Sequence, residues 1–331
     1  MARDPLFKGE QTRFSFALES TFGETPTPGD QTIFLGIIPS ASIEVVPDFN
    51  DYYSLTQASS SVQRDLFTER QAKINCSGDF PLELQNGRIL YYAMGSVSES
   101  GTAPTTHIVE GTGSILQSIL GEAVYAGDNQ TFMRYLAGMK VNTFSLEAAE
   151  GAAVTSTVNF VNANTTRAAA GVAPSSVTVN TTKPFQFYDA CLTYNNETEF
   201  RATAATWTVN NNLKPLWDIC SGQTGTLIGG QYASSIEVGK RDYELRMTLL
   251  IPDHNTRAYV IWDDFISGAN RDAKLKLTRG TNDYLLLDAY DCTIRTAPYN
   301  LPEVGEELRV DVVLKPRRCK WTVVDSITSY D

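Results

Sequence analysis

Histidine is nearly absent from this chain of 331 residues: there are two, His107 and His254, and neither stands in an HExxH or other close ligand cluster. That scarcity removes the commonest general base and metal ligand, and no nucleophile–base pairing is legible around either residue. Cysteine is sparse too. The five, Cys76, Cys191, Cys220, Cys292 and Cys319, lack metal-ligand spacing, and an odd count excludes a complete disulfide framework within one chain. They read as small buried hydrophobes in a reducing compartment. No run approaches the ~18 apolar residues of a membrane span. Met1 to Phe16 carries Arg3, Asp4, Lys8, Glu10 and Arg13 and no apolar core of the signal-peptide kind. The expectation is a chain made in a cytoplasm, soluble until it assembles, with no membrane partner. Basic residues number 27 against 38 acidic ones, a net charge of −11, which disfavours wrapping DNA because wrapping needs many phosphate-neutralising cations. Nucleic acid that must slide past is a different case, since an acidic wall does not hold it.

What the chain does contain is alternation. With 42% hydrophobic and 20% charged residues it has enough apolar content for two buried cores. Residues 1–32, with the breaker cluster Thr25-Pro26-Thr27-Pro28-Gly29-Asp30, read as an extended arm. Strand signals follow at Ile33 to Ile38, Ala41 to Val46 and Arg70 to Gly78, the last with Ala72, Ile74 and Cys76 on one face. A helix is expected from Pro81 to Met94, with proline in its first turn. The stretch Ser96 to Thr112 is rich in Ser, Thr and Gly and reads as a surface loop.

The second half repeats this order. Tyr243, Leu245, Met247 and Leu249 alternate on one face, and a helix with the stripe Ala258, Ile261, Trp262 and Phe265 runs from Asn255 to Ile266, ended by Gly268. Closing strand pairs correspond as well: Val141 to Leu146 with Val154 to Val161, and Tyr290 to Arg295 with Leu308 to Lys315. Val154, Ser156, Val158 and Phe160 match Leu308, Val310, Val312 and Leu314 in phase. The match is one of pattern with few identities, so a duplication stands against two unrelated β-rich domains. The boundary falls in residues 162–183, where Val177 to Val179 has the composition of a short strand.

Candidate chemistry is thin. The pairs Asp263-Asp264 and Glu306-Glu307 point neighbours to different faces and read as solvated or lumen-facing charge. The glycine-rich Gly222 to Gly230 lacks the Lys-Ser/Thr ending of a phosphate loop. Trp207, Trp217, Trp262 and Trp321 are assigned to core and subunit contacts in preference to carbohydrate stacking. The basic run Lys315 to Lys320 is a strand end with a possible acidic complement, Glu303, Glu306 and Glu307 of a neighbouring copy. No catalytic, cofactor-binding or metal residue is assigned.

The succession Phe132 to Gly151, with an aromatic, a glycine, the step Lys140-Val141-Asn142 and a glycine turn, resembles part of the tail tube proteins of long-tailed phages. So does Trp207 to Pro215, with its core Val209-Asn210-Asn211-Asn212-Leu213. The resemblance covers about residues 30–320. It implies a mainly β, non-enzymatic structural protein whose barrel-like sandwich domains, each flanked by a short helix, contribute strands to the wall of a conduit for DNA. On that basis the chain divides into an arm (1–32), a first tube domain (33–161), a linker (162–183) and a second tube domain (184–331). Two such domains in one chain imply a homotrimeric ring of pseudo-sixfold symmetry, stacked into the tail of a virion. The implied partners are tail terminator and tail tip proteins, a tape measure protein in the lumen, and DNA in passage. The arm and the Ser96 to Thr112 stretch are candidates for ring-to-ring contacts; residues 48–69 and 218–237 are insertions relative to simpler members. Rival readings are a surface adhesin or lectin, and a capsid or head-completion protein.

Overall fold

The computed structural model describes residues 12–23, 33, 35–52, 68–111, 115–126, 131–167, 181–195, 201–217, 231–250, 257–298 and 307–330. In chain order the first strands are β1 (Thr12–Leu18), β2 (Ser42–Tyr52) and β3 (Thr68–Glu83), then helix α1 (Arg88–Met94). They are followed by β4 (Ser96–Ser100), β5 (Thr105–Glu110), β6 (Ile119–Ala126), β7 (Thr131–Ala149), β8 (Thr155–Asn162) and β9 (Asn164–Arg167). The second half holds β10 (Ala190–Tyr194), β11 (Arg201–Asn210), β12 (Lys214–Leu216), β13 (Ser235–Glu237) and β14 (Asp242–Leu250). Helix α2 (Arg257–Ser267), β15 (Asn270–Gly280), β16 (Asp283–Thr296), β17 (Arg309–Lys315) and β18 (Arg318–Asp325) complete it.

Sixteen of these strands form one antiparallel sheet whose main path runs β2-β3-β8-β7-β11-β14-β17-β16-β18-β5-β4. The first four and the next four strands are connected in the same way, so β2-β3-β8-β7 corresponds to β11-β14-β17-β16. Branches correspond too: β6 pairs β7 and β1, as β15 pairs β16 and β10. Irregularities fall at matching places. The β7–β8 register shifts between Val141 and Thr143, and the β16–β17 register between Ile294 and Thr296. Three residues before each shift the backbone is left-handed, at Gly138 (φ 65°) and Asp291 (φ 50°). In both cases the amide there donates to a carboxylate, Glu19 Oε1 at 2.5 Å and Asp272 Oδ1 at 3.0 Å. Bulges bend the strand where it leaves one partner for the next.

The core lies behind the sheet. Phe14, Phe16, Phe80 and Phe160 cluster with ring centroids 4.6 to 6.1 Å apart, and Trp207 packs edge-on against Trp321 at 5.2 Å. Helix α1 is buried from Ile89 to Met94 and ends at Gly95 (φ 94°), whose amide donates to Tyr91 O. Helix α2 buries Ile261 and Asp264 but leaves Trp262 and Ile266 exposed.

Several local expectations are corrected. Among the described residues of Ile33 to Ile38 there are only isolated bridges, Ile33 with Phe16 and Ile37 with Glu83. Part of the arm is ordered by its own chain: Thr12–Leu18 is β1 and pairs β6 throughout. Pro81 continues β3 instead of opening a helix: β2 ends opposite Asp79, so the missing N–H of Pro81 faces no ladder, and Leu82 and Leu84 stay in phase with the core. Within the stretch Ser96 to Thr112, expected as a loop, Ser96–Ser100 and Thr105–Glu110 form the hairpin β4–β5, and β5 pairs β18. Asn164–Arg167, placed in the linker, is β9 on β7. The span 48–69 gives its ends to β2 and β3, and 235–237 is β13; the Val177 to Val179 strand lies outside the described residues.

Candidate assembly surface

Along the eight-strand run the two sheet faces differ in kind. One face is apolar and buried: Phe80, Phe160, Phe144, Trp207, Leu245, Met247, Val312 and Leu314 are each at most 2% exposed. The other carries short polar side chains in rows across the strands. Asp79, Asn159, Thr143, Asn210 and Asp242 stand opposite one another in one row; Glu83, Thr155, Glu147, Thr206 and Arg246 in another. Hydroxyls and amides tie neighbours together: Asn159 Nδ2 donates to Asp79 Oδ1 (2.8 Å), Thr248 Oγ1 to Asp311 Oδ1 (2.7 Å) and Thr208 Oγ1 to Ser145 Oγ (3.4 Å). Glu44, Asp79, Glu83, Glu147, Asp242, Glu244 and Asp311 outnumber Lys73, Arg246, Arg309 and Lys315 on this face, giving a wet, weakly acidic wall. At its end β2 pairs only with β3 among the described residues, leaving an open edge with Val46 41% and Phe49 51% exposed.

The two sequence signatures meet at the β7–β11 junction. Asn211 is wholly buried, and its Nδ2 donates to Ala93 O (3.0 Å) at the end of α1 and to Val141 O (2.9 Å). Its Oδ1 accepts from Arg241 Nε at 2.7 Å, its backbone amide donates to Asn142 O, and Asn142 Oδ1 accepts from the amide of Leu213. Asn212 takes the left-handed turn (φ 49°) that asparagine tolerates. The asparagines therefore lock the strand where it leaves β7 for the β12–β13 hairpin. Their meeting in space is not readable from the chain.

A second lock holds the β4–β5 hairpin to the C-terminal segment. His107, in β5 and wholly buried, stacks on Tyr330 at 3.8 Å. Its Nδ1 lies 3.0 Å from Glu99 Oε1, and its Nε2 lies 2.9 Å from Ile327 O and 3.3 Å from Asp325 Oδ1. Tyr330 donates its hydroxyl to Asp325 Oδ2 and its amide to Glu99 Oε1, while Arg88 of α1 donates to Ser329 O. Burial opposes a charge on His107, yet Asp325 and Glu99 together hold its pKa above the usual 6.5. Burial likewise raises Glu99, but the Tyr330 amide, Ser329 and His107 outweigh it and leave that carboxyl below its ordinary value. The histidine contribution is complete below pH about 6.5 and is lost as pH rises through the raised folded value. The glutamate contribution is present above the ordinary carboxylate range and is lost only as pH falls through the depressed value. Denaturant titrations of the wild type across pH 6 to 9 are expected to show this decline; His107→Gln is expected to flatten it. Parallel profiles would contradict the lock.

Other sequence candidates fall into place without forming a catalytic group. Asp264 is not solvated: it is 4% exposed, accepts from Arg271 Nη2 (3.0 Å) and from the Tyr194 hydroxyl (3.1 Å), and pins α2 to β15 and β10. Lys315 pairs with Asp242 (3.3 Å) and Lys320 with Asp288 (3.6 Å), so the two lysines of the basic run are paired within the chain, while Arg318 stacks on Tyr290. Cys76, Cys292 and Cys319 are buried free thiols, raised by burial to about 11, 12 and 12, whereas Cys191 is exposed, contrary to expectation. Trp217 donates its indole N–H to Gln231 O at 3.2 Å. His254, Cys220, Gly222 to Gly230, Glu303 and Glu306 lie outside the described residues. Among the described residues no helix is long and apolar enough to cross a membrane, and no three His, Cys, Asp or Glu side chains gather as a metal site.

The class the fold defines is a mainly β protein: one broad antiparallel sheet with a buried face, a wet face and, among the described residues, an open edge at β2. The chain belongs to the phage tail tube protein family, whose sequence model matches residues 9–307. Membership makes it a structural subunit of the tail tube, placed in the tail of the virion, and implies self-assembly into a tube. No curated protein matches the chain. Nothing in the family or the fold favours an adhesin, lectin or capsid protein.

Proposed function

We propose that the chain is a duplicated tube subunit with no catalytic role, three copies of which close into a ring of pseudo-sixfold symmetry. The arm (1–32) and linker (162–183) flank two tube domains (33–161 and 184–331). The observation that carries this reading is the repeated pairing order, β2-β3-β8-β7 then β11-β14-β17-β16, with bulges at corresponding positions. A sheet with a free edge aggregates unless something covers it, and closure on itself through further copies removes the edge altogether. Rings then stack into the tube of a long tail, synthesised in the host cytoplasm, capped by terminator and tip proteins, with a tape measure protein inside before the genome leaves.

The wet face lines the lumen on this reading. Hydroxyls, amides and a slight excess of carboxylates present no dense cation array for phosphate, so DNA slides past without sticking. Thr157 and Asp311 occupy corresponding exposed positions in β8 and β17. The double variant Thr157→Lys, Asp311→Lys is expected to assemble normally and to slow genome release from particles several-fold. Normal release from well-formed variant tails would show that this face does not line the DNA path.

A further inference from the structure

We propose that the internal β7–β11 junction is the template for the seam between copies: β2 of one copy pairs antiparallel with the end of β16 in the next, Val46 opposite Thr296 and Glu44 opposite Pro298. This rests on the reading that the chain closes into rings and adds the strands, direction and register of the closure.

The register follows from hydrogen bonding on the page. Val141 and Thr143 flank the β7 bulge as Ile294 and Thr296 flank that of β16, so Thr143 corresponds to Thr296. Tracing partners outward, Phe160 pairs Gly78 and Gly78 pairs Ile43, while Leu314 pairs Leu245 and Leu245 pairs Trp207; Ile43 therefore corresponds to Trp207 and Val46 to Asn210. Within the chain Asn210 stands opposite Thr143, and Thr208 opposite Ser145. Transferring those pairs to the next copy places Val46 opposite Thr296 and Glu44 opposite Pro298.

Both partners are free to meet. Val46 and Thr296 are exposed, β2 has no strand on its outer side among the described residues, and β15 leaves β16 at Thr293. The bonds Asn211 N–H to Asn142 O and Glu150 N–H to Thr203 O mark alternate pairs as hydrogen-bonded, so the Asn210–Thr143 pair, and with it Val46–Thr296, is of the close non-bonded kind. The seam also lacks its lock. Pro47 stands where Asn211 does and has no N–H to give, and Arg295 stands where Asn142 does. A weaker seam than the internal junction keeps single copies apart until assembly begins, the use edge prolines commonly serve.

The test is oxidative cross-linking of assembled Val46→Cys, Thr296→Cys protein, since non-bonded antiparallel pairs have the Cα spacing a disulfide needs. Most chains are expected to run as a closed covalent oligomer on non-reducing gels, while either single variant runs as monomer. Glu44→Cys, Pro298→Cys gives an independent pair should the first variant fold poorly. Rings visible by electron microscopy without cross-linking, or efficient cross-linking only in the mismatched Val46→Cys, Pro298→Cys, would overturn the register while leaving the ring intact. Absence of both rings and cross-links from folded protein would overturn the ring as well.

Discussion

Alanine at Trp207 is expected to lower folding stability by about 3–5 kcal/mol, the usual cost of truncating a fully buried aromatic. Trp207 lies on β11, at the junction of the two strand quartets, with no exposed surface. Its ring sits 5.2 Å from Trp321 on β18, 5.8 Å from Phe144 on β7 and 6.4 Å from Tyr243 on β14. These contacts reach strands of both halves, so the cavity would open at the center of the shared core. Trp262, 45% exposed on α2, is the internal control: its alanine variant is expected to change stability by less than about 1 kcal/mol. Urea midpoints of the two variants, at equal m-value, make the comparison. Equal losses, or a loss under about 1 kcal/mol at Trp207, would mean that the halves do not share this core.

Asn211→Ala comes next, at about 3 kcal/mol. The substitution strands Ala93 O and Val141 O without their donor and Arg241 Nε without its acceptor, and a buried polar group left unpaired costs about 1–3 kcal/mol. Asn211→Asp keeps the acceptor for Arg241 but sets a carboxylate against two carbonyl oxygens, so it is expected to be no better. Serine, with one donor, is expected to fall between. Hydrogen exchange in the β7–β11 ladder reads the same lock locally: protection is expected to drop there first. Unchanged exchange around Val209 in Asn211→Ala would show that the ladder holds without the asparagine.

How much of this could be read from the chain depended on the strand. β3, β14, β8 and β17 have one wet and one buried face, so their period of two was plain in Ile74 and Cys76, in Tyr243 to Leu249 and in Val310 to Leu314. β5 was invisible because its buried positions include the polar Thr105 and His107, and His107 is satisfied by the C-terminal segment and not by any pattern of its own. β1 and β9 draw their order from strands that are not their chain neighbours, β6 and β7, and β4 is a short polar strand held by its hairpin partner β5. Pro81 was misread because proline opens helices and also ends ladders; the unbroken phase of Phe80, Leu82 and Leu84 was the signal that decided between them. The resemblance of the two asparagine-bearing segments to tail tube proteins pointed to the family, but the bond that joins them, Asn211 to Asn142, belongs to the tertiary fold alone.

Cryo-electron imaging of concentrated protein and of intact particles tests the tube subunit most directly. Hollow rings stacked along the tail, with three chains per layer and sixfold-like features in each ring, are the predicted result. A monomer that stays single at high concentration and is missing from tails would contradict it, as would layers built from six chains.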